Sequence, residues 1–285
     1  MDAVLQRDAE VALTDREMDH IVRLVYERSG IALHRGKRAL VVARLHKLLK
    51  AGGFASFAGY VHHVESDRTG HALSVLLDAI TTNHTSFFRE SHHFDHFAAE
   101  VRPALLRRAA TGGRVRLWSS ASSSGEEPFS LAMALLGSDR HEGMRIAGTD
   151  TMTLATDLSS TVIARAKAAS YPCATTAAVP RPLASAWLRD ADGESVVDPH
   201  CARLVRYREL NLMTDWPFHG KFDVIFCRNV MIYFDEPTKA RLQERLVDKL
   251  VPGGHFYIGH SERLIGTAAE RCRPIGQTIY RKDAA

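Results

Sequence analysis

Arg114-Val115-Arg116-Leu117-Trp118, followed by Ser119-Ser120-Ala121-Ser122-Ser123-Ser124-Gly125-Glu126-Glu127-Pro128-Phe129-Ser130, decides the fold. The first five residues read as a strand. A loop of seven small residues follows, and an apolar helix begins at Glu126 and reaches Leu136. Strand, tight loop and helix in immediate succession are one half of a strand–helix–strand unit. The loop is not the glycine fingerprint of a dinucleotide fold, because Glu126 and Glu127 occupy the helix start where a pyrophosphate requires uncharged backbone donors. A ligand carrying a sulfonium and an ammonium would be welcomed there instead. Two acids at a helix N-terminus also complement the helix dipole with no ligand at all.

The pattern continues outward on both sides. Thr153-Leu154-Ala155-Thr156 reads as a second strand, with a helix from Ser159 to Ala169 behind it. Phe222-Asp223-Val224-Ile225-Phe226-Cys227 is a near-continuous apolar run, as expected of a parallel strand covered on both faces. Asp235-Glu236-Pro237 opens a helix expected to reach Leu250 and to stop at Pro252-Gly253-Gly254. His255-Phe256-Tyr257-Ile258-Gly259 and Gln277-Thr278-Ile279-Tyr280 complete the set of strands. Strands alternating with helices predict an α/β fold with a doubly wound, mostly parallel sheet. From Pro172 to about Arg208 the pattern breaks into short pieces punctuated by Pro, Gly and Asp, which predicts an insertion.

Residues 1–85 carry no strand-like alternation and predict a small all-α domain. Thr14 with Glu17 forms a capping-box pattern ahead of Met18, Ile21, Val22 and Val25. Gly30 and Gly52-Gly53 end helices, and Ser56 or Ser66 is placed to cap the next ones. Over 37–50 the sequence is basic: Val41, Leu45, Leu48 and Leu49 share one arc of a helix, while Arg44, Lys47 and Lys50 lie on the other side. Residues 86–285 then form the second domain.

Bulk properties exclude several classes. The chain has 285 residues, 45% hydrophobic and 25% charged, with a formal net charge of +4. That excess is too small to argue for nucleic acid. No apolar run is long enough to cross a bilayer, and Met1-Asp2-Ala3-Val4 opens no secretory signal. Cys173, Cys201, Cys227 and Cys272 are widely spaced and read as reduced thiols, so a cytoplasmic protein is expected. His92 and His96 have the i,i+4 spacing of a metal pair, but no carboxylate or cysteine completes the set. They read as packing histidines, and no metal is expected. With no nucleophile elbow, the loop serines read as spacers.

Ligands of an open parallel sheet bind outside the carboxyl ends of its strands. Besides the small-residue loop, two features fall there. Asp157 ends the second strand and can accept from ribose hydroxyls, although Ile146-Ala147-Gly148-Thr149-Asp150 reads as a competing strand that would give Asp150 that role. Cys227-Arg228-Asn229-Val230-Met231-Ile232-Tyr233-Phe234-Asp235 follows the buried strand, with an Asn able to pair with adenine and an aromatic able to shape a gate.

Together these segments resemble the chemotaxis receptor methyltransferases. The likeness is carried by Trp118–Ser130, Phe222–Asp235, Pro252–Glu262, Gly276–Tyr280 and the signature Thr81-Thr82-Asn83-His84-Thr85-Ser86-Phe87-Phe88-Arg89-Glu90, in order along the chain. It implies a small β-subdomain inserted at about 172–208 and S-adenosylmethionine as cofactor, held by Asn83, Thr85, Arg89, Glu127, Asp157, Asn211, Leu212, Asn229 and Val230, with S-adenosylhomocysteine as product. The implied reaction is esterification of glutamate side chains on the cytoplasmic helices of methyl-accepting chemoreceptors. Arg89 is expected to orient the glutamate carboxylate by its guanidinium fork, supported by the Tyr233 hydroxyl. Arg44, Lys47 and Lys50 are expected to meet the acidic receptor, and the enzyme is expected to act as a monomer without membrane insertion. Trp187 to Leu210 looks compact, so no gripped receptor tail is expected. A same-fold methyltransferase acting on another carboxylate or a small molecule has no need of the basic helix, and a non-catalytic cofactor sensor would have an eroded loop.

Overall fold

The computed structural model describes residues 11–284, and the chain divides into two compact units that meet between Thr82 and Asn83. The first is wholly helical: α1 (Asp15–Ser29), α2 (Arg38–Gly52), α3 (Phe57–Ser66) and α4 (His71–Ile80). Thr14 and Glu17 cap α1 reciprocally, and Gly30, in the left-handed conformation, closes its C-terminus. Ser56 caps α3, whereas α4 starts at Gly70 with no side-chain cap, so Ser66 does not fill the role its position suggested. Met18, Ile21, Val41, Leu45, Leu49 and Phe57 form this unit's core.

The second unit opens with α5 (His92–His96), which runs through a π-helical turn into α6 (Arg102–Ala110). Then follow β1 (Val115–Ser119), α7 (Glu126–Leu136), α8 (Arg140–Ala147), β2 (Thr151–Asp157) and α9 (Ser160–Ala168). The segment after α9 holds β3 (Ser170–Pro172), α10 (Cys173–Thr176), α11 (Arg181–Trp187), β4 (Leu188–Ala191), β5 (Glu194–Val197) and α12 (Pro199–Ala202). The chain returns through β6 (Val205–Glu209), β7 (Phe222–Cys227), α13 (Glu236–Asp248), β8 (Leu250–Ile258), α14 (Gly266–Glu270), β9 (Cys272–Gly276) and β10 (Ile279–Lys282). The main sheet has the order β6-β2-β1-β7-β8-β10-β9. Its first five strands run parallel, and β10 is antiparallel to both neighbours.

Apolar side chains fill both faces of the central strands, as a doubly wound sheet demands. Leu117, Phe129, Leu131 and Phe226 belong to one core with Phe94 and Phe97 from the leading helices. Trp118 packs edge-on against Trp216 on the opposite face at 4.9 Å between ring centres. The smaller sheet has the order β3-β5-β4, and buried Trp187 ends α11 just before β4. Its Nε1 donates to the Gly137 carbonyl at 2.6 Å, and its ring fills the space beside Gly143 so closely that a Cβ there would sit 2.3 Å from it.

Three local expectations change. The helix after β7 ends at Asp248 rather than Leu250, and β8 carries Pro252-Gly253-Gly254 inside it, with the pairing register slipping between Phe222 and Val224. Gln277 and Thr278 form the turn between β9 and β10 rather than strand residues, with Thr278 at φ 56°. The stretch 146–150 ends a helix and begins no strand. Asp150 therefore lies at the amino end of β2, paired with Arg116 at 2.5 Å and Arg114 at 3.3 Å, while Asp157 lies at the carboxyl end.

Candidate active site at the carboxyl edge of the sheet

The loop after β1 is fastened to both neighbouring strands. Ser120 donates from its N–H and its hydroxyl to the Phe226 carbonyl, at 2.9 and 3.1 Å. Ser122 N–H donates to the Thr156 carbonyl at 2.9 Å. Small side chains let the backbone reach both strands at once. At Gly125, φ is +100° and a Cβ would lie 2.6 Å from the Tyr171 hydroxyl, so only glycine fits.

Asp157 anchors the next part. One carboxylate oxygen accepts from Ser123 N–H at 2.8 Å and the other from Ser159 N–H at 3.1 Å. Both oxygens are thus fixed by backbone N–H groups at the carboxyl end of β2. Ser123 is itself in the left-handed region at φ 46°, and its hydroxyl donates to the Asn83 carbonyl at 2.8 Å. Leu210 N–H donates to the Asp157 carbonyl at 2.8 Å, which hangs Asn211 and Leu212 beside the same strand end. The Leu212 carbonyl is tied to Arg245 at 2.7 Å.

The other half of the site is organised by a residue that no motif argument singled out. Arg228 is 5% exposed. It pairs with Glu127 at 3.1 Å and Glu90 at 3.3 Å, donates to the Arg89 carbonyl, and lies over the Phe94 and Phe226 rings. Glu127, on the first turn of α7, also accepts from the Ser119 hydroxyl at 2.7 Å. Burial pushes the Glu127 carboxyl above the usual range, against Arg228 and Ser119, which lower it. Burial pushes Glu90 up as well, but Arg228, His260 and Asn229 together outweigh it and hold that group at about 2. The extra donors explain why two acids on one guanidinium shift in opposite directions.

Asn229 follows at φ 56°, with Nδ2 donating to Glu90 at 3.2 Å and its N–H to Glu262 at 3.1 Å. Glu262 also accepts from the N–H groups of Met231 at 2.8 Å and Gly259 at 2.6 Å, clamping the end of β8 to the turn after β7. The two segments approach so closely that a Cβ on Gly259 would lie 2.5 Å from Asn229 Nδ2. Val230 is half-buried and leads into the 3-10 turn Met231–Tyr233, which carries the half-buried Tyr233.

Arg89 sits between two left-handed residues, Phe88 at φ 51° and Glu90 at φ 57°. Such conformations cost non-glycine residues about 1–3 kcal/mol each and cluster at functional sites. One guanidinium nitrogen donates to the His84 carbonyl at 3.1 Å, and among the described residues Arg89 makes no ion pair. Thr85 lies in the irregular segment just before it. The neighbouring histidines are engaged separately: His92 with the Gln277 carbonyl, His93 with Thr278 and His96 with the Tyr257 hydroxyl.

The structure thus gathers Asn83, Asp157, Asn211 and Leu212 around one strand end and Arg89, Glu127, Asn229 and Val230 around Arg228. The basic helix is different in kind. Arg44 donates to the carbonyls of Ala79, Ile80 and Thr81 and to the Thr82 hydroxyl, closing the C-terminus of α4. Its guanidinium is spent within the helical unit, which corrects its place beside the exposed Lys47 and Lys50.

The Ser122 hydroxyl is buried with no partner among the described residues, as a site built for a polar ligand would leave it. A parallel sheet with an acidic, small-residue loop after its first strand and an anchored aspartate at the end of its second is the site of an S-adenosylmethionine-dependent methyltransferase. Residues 83–281 match the model described as CheR methyltransferase, SAM binding domain, and residues 16–81 match CheR methyltransferase, all-alpha domain. A probable chemotaxis protein methyltransferase of Rhizobium etli is 43% identical over 90% of this chain and 96% of its own length. A chemotaxis protein methyltransferase of Borreliella burgdorferi is 36% identical over 90% and 91%, and chemotaxis protein methyltransferase 2 of Pseudomonas aeruginosa is 36% identical over 95% and 94%. This chain belongs to the CheR family of chemotaxis methyltransferases.

Replacing Asp157 with Ala is expected to weaken cofactor binding about 10–100-fold, since hydrogen bonds to a charged acceptor contribute about 1.5–3 kcal/mol each. Calorimetry on Asp157→Ala and Asp150→Ala checks it: the Asp150 variant should bind as the native protein does, and the reverse ranking would move the ribose contact.

Proposed function

We propose that this enzyme forms methyl esters on glutamate side chains in the cytoplasmic helices of chemoreceptors. The observation that carries the proposal is Arg89. Glu90, its neighbour in sequence, and Glu127 are engaged by Arg228, while Arg89 makes no ion pair among the described residues; its fork is therefore assigned to a carboxylate from outside. A guanidinium matches a carboxylate in two parallel hydrogen bonds, which fixes orientation as well as charge.

Bound at this edge, S-adenosylmethionine supplies a methyl group on a sulfonium, already activated for transfer. Asp157 is assigned to the ribose, and Asn211, Leu212, Asn229 and Val230 to the adenine end. Asn83, Thr85, Glu127 and Arg89 are assigned to the amino-acid end. A glutamate side chain is ionised at neutral pH, so no residue need remove a proton. Arg89 positions the carboxylate, with Tyr233 at its side, and rate comes from holding reactants in place. The test is incubation with methyl-labelled cofactor and receptor-containing membranes. Alkali-labile release of labelled methanol from a receptor band is the expected result, and label stable to alkali would exclude a carboxyl ester.

Lys47 and Lys50 provide the exposed cations of α2 for an acidic partner. Lys47→Glu with Lys50→Glu is expected to cut receptor methylation at moderate salt while leaving cofactor affinity unchanged, because like charges across an interface are costly. Activity of the native enzyme should fall as salt rises. Full methylation by the double variant would reduce the helix to a solvated surface. Receptor methylation is also expected without a tail tether, and micromolar binding of a receptor C-terminal peptide in a titration would contradict that.

A further inference from the structure

Immediately before Tyr233 stands Ile232, 48% exposed and the most exposed large apolar side chain among the described residues. Its position is not accidental looseness. Met231 is buried and held by Glu262, and Phe234 is buried as well, so the 3-10 turn is pinned on either side while Ile232 faces out. Beside it a crevice of about 390 Å³ runs between the start of α13 and the segment after β8. Its far wall is fixed by the buried Gln243, which donates to the Arg263 carbonyl and accepts from Ile265 N–H, both at 2.8 Å. Two cations line this crevice. Lys239 pairs with Glu236 at 3.2 Å, and Arg263 is exposed with no ion pair among the described residues. Glu262, the remaining acid, is turned into backbone N–H groups.

We infer that this crevice is a docking site on the catalytic unit for the protein substrate, seating an apolar side chain of an acidic helix on Ile232 and a neighbouring carboxylate on Arg263. The inference rests on the function proposed above. Three features favour this occupant. An exposed apolar anchor with a cation beside it is complementary to a helix bearing apolar and acidic residues three or four positions apart, which are about 5–6 Å from each other. The anchor adjoins, in the same 3-10 turn, Tyr233, the residue proposed above to stand beside the substrate carboxylate. The walls are held by buried hydrogen bonds, so little ordering is lost on docking.

The experiment uses the full chain, methyl-labelled cofactor and a purified receptor cytoplasmic fragment. Ile232→Ala and Arg263→Glu are each expected to raise KM for the fragment about tenfold, as loss of an interface anchor commonly does, with kcat and the cofactor Kd unchanged. Ile275→Ala, removing an exposed apolar side chain on β9, should leave all three unchanged. An unaltered fragment KM in both crevice variants, with the native enzyme active, overturns the crevice and leaves the receptor reading standing. A native enzyme that does not methylate the fragment overturns both.

Discussion

Arg89→Ala is expected to lower single-turnover methylation of the receptor on the order of 100-fold, the loss typical when a reactant is misplaced by about 1 Å. The backbone around Arg89 is held at two left-handed residues, and its carbonyl is fixed by Arg228. Truncation therefore removes the fork and leaves the turn in place. Arg89→Lys should recover part of the rate, because an ammonium supplies charge without the paired donors. No histidine base is required, so the rate should be flat between about pH 6 and 9 with no step near the ordinary histidine value. His93, the histidine nearest Glu90 and Arg228 inside the core, is driven by burial to about 3 and stays neutral across that range. A bell-shaped profile that vanishes when His93 or His260 is replaced would rule out positioning as the main source of rate.

The larger effect on the protein itself is expected from Arg228→Met. This removes the cation between Glu90 and Glu127 and leaves the buried Glu127 carboxylate without a counter-charge. Breaking a buried pair from one side costs about 3–5 kcal/mol, which for a unit of this size corresponds to a fall in Tm of roughly 6–20 °C. The sign of the accompanying pH effect follows from Glu127. Its carboxyl already sits above the usual range because of burial, and Arg228 is the principal group lowering it. Without Arg228 it rises further and is protonated nearer neutrality. With the ionised form of Glu127 assigned to the cofactor, affinity in the variant should increase with pH more steeply than in the native protein. Calorimetric titrations at three pH values, beside a thermal melt, separate the two consequences. Native stability together with a native pH response would show that Arg228 neither supports nor tunes the site.

Much of this arrangement is legible in the residues. Helix α7 begins and ends where its acids and apolar run place it, and β7 occupies the whole of its apolar stretch. These elements have strong local signals that the tertiary structure does not oppose. Arg228 was hidden for the opposite reason. A cation at the end of a buried strand looks like the point where the strand meets water, and only the fold brings two acids from distant segments to it. Arg44 failed in the reverse sense: helical periodicity gave it a polar face, but the open carbonyls of α4 claimed it. The small sheet β3-β5-β4 was visible only as disrupted pattern, because three- and four-residue strands are too short for periodicity to register.

The two-unit division and the strand order also bear on how the chain is made. The helical unit is completed within the first 82 residues, so it can collapse before the rest of the chain has left the ribosome. The sheet cannot. Arg116 on β1 bonds through its N–H to Asp223 on β7, 107 residues later, and β1 pairs directly with β7. At translation rates of about 5–20 residues per second, β1 waits roughly 5–20 seconds with one edge open. During that interval an apolar strand lacks its native neighbour, and nascent-chain pulse labelling should find β1 protected only after β7 has emerged.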